Sequence, residues 1–370
     1  ATIQLISRCL TFNLRRDTVP RLRNGVSLSQ VVLMAFVEVQ DLVKHFPVRG
    51  GMLNRVTAKV HAVNGVSFQI QRGETLGVVG ESGCGKSTLG RMLVRLIDPT
   101  SGTIRFDDHE LSSLTHRELM PFRQRIQVIF QDPYSALNPR MTAETMLREV
   151  VRFHKVVPFN ETDAYIDSLL EKVGRPQDAR SRYPHEFSGG QRQRLNIARA
   201  LAVKPEFIIA DEPVSALDVS VRAQVLNLLM DLKDEFDLTL LFVSHDLKVV
   251  EHFCDRVLVM YLGTVVEELP CETLLTRAQH PYTKALLGAN PIDDPSQRAE
   301  LQVLEGEVPS PFDPPVGCPF VTRCPIVEDR CRTDKPKLEV VEDSHQVACW
   351  AVEPQAVGPQ AAITASAGEV

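Results

Sequence analysis

The stretch GESGCGKST, beginning at Gly80, restricts the possible folds of this chain more than any other. It follows the apolar run TLGVV at Thr75 and leads into KSTLGRMLVRLI at Lys86, so a Gly-rich turn joins a strand to a helix. Glycines let the backbone curl until several N–H groups face one phosphate, and the helix N-terminus adds partial positive charge. In such a loop Gly80, Glu81, Ser82, Gly83, Cys84 and Gly85 form the cradle and Lys86 reaches the β and γ phosphates. The Ser87 hydroxyl then faces Mg²⁺ and Thr88 the α-phosphate. A Gly-rich turn with no ligand is the bland reading, and the strand and helix flanks argue against it.

A phosphate loop of this kind needs a carboxylate on the metal side. EFIIADEP offers one, carrying four apolar residues to Asp211 at the end of a buried strand. Asp211 would support Mg²⁺, and Glu212 could accept a proton from an attacking water or orient it. An acidic pair after a strand can equally cap a helix, so the pair alone leaves both roles open. Around these anchors VSFQI, GTIRF, RIQVIF and LTLLFVSH read as strands, and VRAQVLNLLMDL as a helix with Val221, Val225, Leu228, Leu229 and Leu232 on one face. Between Thr142 and Val173 the pattern turns helical, as an insertion. The expectation is α/β, a parallel sheet covered by helices on both faces.

Composition narrows the function classes. With 41 basic against 47 acidic residues and a net charge of -6, the chain has no electrostatic footprint for nucleic acid. No apolar run approaches the roughly 18 residues of a membrane helix. Cys9, Cys84, Cys254 and Cys271 are scattered singly, which fits a reducing, cytosolic compartment rather than a disulfide framework. Residues 1–33 differ from the rest, with Arg8, Arg15, Arg16, Arg21 and Arg23 against the acid Asp17. They read as an unstructured leader, either an upstream extension before Met34 or an Arg-rich transit segment. Prolines multiply from Pro291, which marks a linker or a small, loop-built, Cys-rich C-terminal appendage, and the Ala-, Gly- and Pro-rich residues 353–370 read as a disordered tail.

FSGGQRQRLNIARAL at Phe187, DEPVSALD ending at Asp218, and LFVSHD with His245 follow the phosphate loop in order. Together they resemble the nucleotide-binding subunit of an ABC transporter. KHFPVRGG, VIFQDPYSALNPRM, DEPVSALDVSVRAQVLNLL and HPYTKALL narrow the resemblance to the dipeptide and oligopeptide importer ATPases, over about Phe36 to Trp350. It implies an ABC-type P-loop domain over residues 34–290, with a helical subdomain near 138–205, a Pro- and Cys-rich region over 291–352, and ATP hydrolysis that energises peptide uptake. Ser188, Gly189, Gly190 and Gln191 would grip the ATP of a partner cassette. Gln131 would touch Mg²⁺ and the attacking water, His245 the γ-phosphate, and Asp218 would communicate across the dimer. Phe46 or a near neighbour would stack on adenine. The implied partners are a second, related ATPase chain, two transmembrane permeases and, indirectly, a substrate-binding protein, with no nucleic acid. The implied place is peripheral, on the cytoplasmic face of the inner membrane. A soluble, non-transport ABC ATPase and an importer of another substrate such as nickel are the alternatives.

Four cysteines, Cys318, Cys324, Cys331 and Cys349, crowd the C-terminal region. Their gaps are neither the short knuckles of zinc ribbons nor the C-x₂-C-x₂-C of bacterial ferredoxins, so spacing names no metal. Four buried small hydrophobes remain a competing reading. The family's C-terminal extension carries a comparable set, which in some members holds a [4Fe-4S] cluster. The resemblance therefore implies that cluster here, with zinc, and His345 as a substitute ligand, as the alternative.

Overall fold

A computed structural model of the chain describes residues 35–50, 55–174, 179–289 and 306–353. The leader expected over 1–33, the first prolines of the linker and the tail from 354 lie outside the described residues.

Two sheets share one core. β1 (Val37–Gly50), β2 (Arg55–Ile70), β4 (Ser101–Phe106) and β5 (His109–Glu110) form an antiparallel sheet in the order β2-β1-β4-β5. The second sheet contains β3 (Thr75–Val79), β6 (Ile126–Ile129), β7 (Phe207–Asp211), β8 (Thr239–Val243), β9 (Arg256–Tyr261), β10 (Thr264–Pro270), β11 (Glu339–Glu342) and β12 (His345–Val347). Its order is β11-β12-β10-β9-β3-β8-β7-β6. From β9 to β6 every neighbouring pair is parallel. Strands β3, β7 and β8 are buried along their whole length, as continuous apolar runs covered on both faces must be.

Helices fill the connections. Lys86–Leu93 follows β3 and Val219–Phe236 lies between β7 and β8, burying Val225, Leu228, Leu229 and Leu232. Helices Ala143–Phe153, Thr162–Lys172 and Gly189–Leu201 make the helical region, with Leu147, Val151, Ile166, Leu169 and Leu195 in its core. The helix at Lys86 ends at Leu93, earlier than the apolar pattern implies, because Arg95 turns to a left-handed φ of 52°.

The C-terminal region is joined to the central sheet. β12 pairs antiparallel with β10, Val347 opposite Glu267, and β11 adds to β12. Phe320 is fully buried, its ring 5.2 Å from that of Tyr261 and 5.5 Å from that of Tyr282. Backbone pairing and an aromatic core thus hold a segment whose own sequence is poor in apolar runs.

Candidate functional site

Ligands in open α/β sheets bind beyond the carboxyl ends of the strands, and four adjacent strands deliver the candidate residues there. β3 leads to the Gly80 loop, β8 to His245, β7 to Asp211 and Glu212, and β6 to Gln131. Because β3, β8, β7 and β6 are consecutive in the sheet, these residues become neighbours although Gln131 and His245 are far apart in sequence.

Glu212 is the centre of the group. Gln131 Nε2 donates to its Oε2 at 2.9 Å, and His245 Nδ1 stands 3.3 Å from the same oxygen. The Glu212 backbone is left-handed, with φ 46°, and its N–H donates to Val243 O at 3.0 Å. A bulky residue in that conformation is strained, so the surrounding structure must hold it there. Beside it, Ser87 Oγ donates to Asp211 Oδ1 at 2.7 Å. Burial pushes the Asp211 carboxyl up, opposed by the Ser87 hydrogen bond. Asp211 and Ser87 are therefore close enough to share one small cation, whose charge would offset the cost of burying the carboxylate.

In the phosphate loop, Lys86 is buried and its Nζ donates to Gly80 O at 2.6 Å and Glu81 O at 3.0 Å. Ser82 and Gly83 are exposed at the tip, Cys84 is buried beneath it, and Thr88 is half-buried on the following helix. Burial raises the Cys84 thiol, so it acts as a packing group. Gly85 is required by geometry: its φ is 107°, and a Cβ there would lie 2.2 Å from Ala62 O on β2.

Ser188 caps its helix in a reciprocal box, accepting from Gln191 N at 3.4 Å while its own N–H donates to Gln191 Oε1 at 3.0 Å. Gly189 is exposed, and a Cβ on Gly190 would meet Val221 Cγ1 at 2.3 Å, so only glycine permits this helix contact. Among the described residues, Ser188 to Gln191 make no hydrogen bond to the Gly80–Thr88 loop. Asp218 is exposed at the N-cap of Val219–Phe236 without a side-chain capping bond. Phe46 is half-buried opposite Val60, with Lys44 Nζ 4.9 Å from its ring centre.

Sequence reasoning missed two contacts on the loop. Arg323 donates to Glu81 through both Nη atoms, and Glu81 N donates to Tyr282 Oη at 2.8 Å. Tyr282 belongs to the HPYTKALL segment, whose His280 Nδ1 accepts from Tyr282 N. The quoted motif was the available signal for Tyr282; nothing local to Arg323 marked its partner.

The four C-terminal cysteines gather in one neighbourhood. Cys318 N donates to Cys331 O at 2.8 Å. Cys318 and Cys331 are buried, Cys324 and Cys349 partly so. Burial pushes the Cys318 thiol up to about 11, with Cys331, Cys349 and Cys324 adding to the shift. Among the described residues no three His, Cys, Asp or Glu side chains are set to hold one ion. His345, the alternative zinc ligand, stands elsewhere: on β12 its Nε2 lies 2.9 Å from Oε1 of the buried Glu267. There the imidazole joins the hydrogen bonds that Glu267 already accepts from Gln279 N at 2.6 Å and His280 N at 3.2 Å.

Comparison with known proteins identifies the family and the fold. Residues 63–215 match the family model described as ABC transporter, and 266–331 match that of the oligopeptide/dipeptide transporter C-terminal region. A probable peptide ABC transporter ATP-binding protein, y4tS, of Sinorhizobium fredii is 53% identical over 323 residues, 87% of this chain and 91% of that protein. The oligopeptide transport ATP-binding protein AppF of Bacillus subtilis is 49% identical over 85% of this chain and 96% of its own length. Among solved structures, the ATP-binding cassette MJ0796, a dimer bound to ADP and Pi, aligns with a TM-score of 0.57 and 29% identity, covering 64% of this chain and 99% of its own. With the ABC fold, the phosphate loop and relatives of this similarity in hand, the chain belongs to the ATPase subunits of the dipeptide and oligopeptide ABC importer family.

Proposed function

We propose that this chain hydrolyses ATP to energise the uptake of dipeptides or oligopeptides through separate permease chains. The observation that carries the reading is the meeting of Gln131, Glu212 and His245 at one point, beside the Ser87–Asp211 pair. In the proposed reaction the backbone amides of the Gly80 loop and Lys86 hold the β and γ phosphates. Mg²⁺ would neutralise charge on those phosphates when held by Ser87, Asp211 and Gln131. Glu212 takes a proton from the water that attacks the γ-phosphorus, the bond to the ADP oxygen breaks, and ADP and phosphate leave. His245 hydrogen-bonds the γ-phosphate and keeps the water in line. The Ser188–Gln191 cap presents a helix N-terminus to the ATP of a partner cassette, so two chains complete two sites, and Asp218 lies on the signalling face between them. Phe46, on the strand paired with β2, stacks on adenine.

No helix among the described residues is long and apolar enough to cross a membrane, so transport requires other chains to supply the path. We place the subunit on the cytoplasmic face of the inner membrane, with the cassette over 34–290 and the Cys-rich region over 291–352. A groove of about 180 Å³, lined by Leu93, Leu96, Phe122 and Phe130 together with the polar Arg123 and Gln127, is a suitable seat for a permease segment. Mild-detergent extraction and affinity capture of the full chain are expected to bring down two permeases and a related ATPase, and the reconstituted complex to take up labelled peptides only with ATP. Capture of the chain without a permease, or uptake indifferent to ATP, would overturn the reading.

The thiols of Cys318, Cys324, Cys331 and Cys349 are soft donors in one region, and we propose that they close around a [4Fe-4S] cluster when it binds, with zinc as the alternative occupant. Anaerobically purified protein is expected to be brown and to contain iron and sulfide in equal amounts. Colourless protein with one zinc per chain would replace the assignment.

A further inference from the structure

We propose that Arg323, in the cysteine-bearing C-terminal region, is a positioning residue of the ATP site, holding and neutralising the Glu81 carboxylate so that the phosphate loop accepts a triphosphate. The inference rests on the ATPase reading above and adds to it a residue outside every motif of the cassette.

Glu81 is a paradox in an anion site. It sits in the loop whose amides must face a polyphosphate, and an unpaired carboxylate there would repel the ligand. Arg323 removes the conflict with a two-pronged contact, Nη1 to Oε2 at 2.8 Å and Nη2 to Oε1 at 3.1 Å. The Arg323 side chain is 7% exposed, so solvent screens the pair little. Its backbone is fixed too: Arg323 N donates to Phe320 O at 3.0 Å, and Phe320 is locked in the aromatic core with Tyr261 and Tyr282. Tyr282 completes the hold by accepting the Glu81 N–H at 2.8 Å. Lys86 Nζ in turn donates to Glu81 O. One residue of the loop is thus fixed at its carboxylate, its amide and its carbonyl. A guanidinium fork suits the carboxylate better than an ammonium, because both oxygens are held in one plane.

A purely structural tether would lower thermal stability when broken but would leave nucleotide affinity alone. A positioning role predicts a different pattern in MgATP titrations of the full chain by calorimetry, run beside thermal unfolding without nucleotide. Arg323→Met is expected to weaken MgATP binding about tenfold, in the ordinary range of coupling between two sites. Arg323→Lys, which keeps the charge without the fork, is expected to lose about threefold. Adding Glu81→Gln to Arg323→Met removes the stranded carboxylate and should restore affinity to within about threefold of the parent. A parent that binds MgATP while Arg323→Met and Arg323→Lys bind equally well would overturn this inference alone. So would a double variant as weak as Arg323→Met. A parent that binds no MgATP would overturn the ATPase reading and this inference with it.

Discussion

In the assembled transporter, Glu212→Gln is expected to retain MgATP while hydrolysing it at least about a hundredfold more slowly, the usual loss when a positioned general base is removed. The substitution preserves size, and the new amide oxygen can still accept from Gln131 Nε2, which now donates to Glu212 Oε2. What disappears is the group able to take a proton from water. Asp211 and Ser87 are untouched, so the metal side of the site stays intact. Loss of a negative charge beside the phosphates should, if anything, tighten nucleotide binding. The check is a single-turnover measurement of phosphate release together with the amount of ATP that stays bound. Release at the parent rate would remove Glu212 from the chemistry and leave the acidic pair as a capping feature.

Gly85→Ala should weaken ATP binding severely without unfolding the protein. Two costs coincide there: a φ of 107°, which L side chains rarely adopt, and a Cβ placed 2.2 Å from Ala62 O. The obstacle is backbone, on a strand whose next residue, Val63, is fully buried, so it cannot move aside cheaply. The loop must instead open, which misdirects the amides meant for the phosphates. Left-handed strain alone costs about 1–3 kcal/mol, and the contact adds to it, so MgATP affinity should fall about a hundredfold or more. The melting temperature without nucleotide should fall by about 3–10 °C, the shift that about 1–3 kcal/mol of local strain gives in a domain of this size. Binding at parent strength would show that the loop has another way to accept phosphate.

Much of this was legible in the chain itself. Gly80 to Thr88 announces its chemistry because strand, glycine turn and helix follow one another within a few residues, and local backbone rules then fix where the amides point. Asp211 is equally local, since the apolar run FIIA delivers it to a strand end whichever sheet it joins. The cap at Ser188 is local too, closed with Gln191 three residues on, although both residues were named through resemblance to a family. For Gln131 and His245, neighbouring sequence gives only a strand end. Their naming depended on resemblance to a family, and their meeting at Glu212 depends on the order β3-β8-β7-β6.

The C-terminal region marks the other limit. Its prolines and cysteines read as a loop-built appendage, because β11 and β12 span only a few residues and carry little apolar pattern. Their partner is β10, and Phe320 finds its place only between Tyr261 and Tyr282. The Arg323–Glu81 contact likewise joins residues whose local sequences say nothing of one another. Dihedral preferences and spacing within a turn or two were enough to specify the phosphate loop and the strand-end acid. Which strand ends lie side by side, and that Arg323 answers the charge of Glu81, was settled by the folded chain as a whole. Those outcomes come from burial and pairing summed over distant segments, and no local window contains that sum.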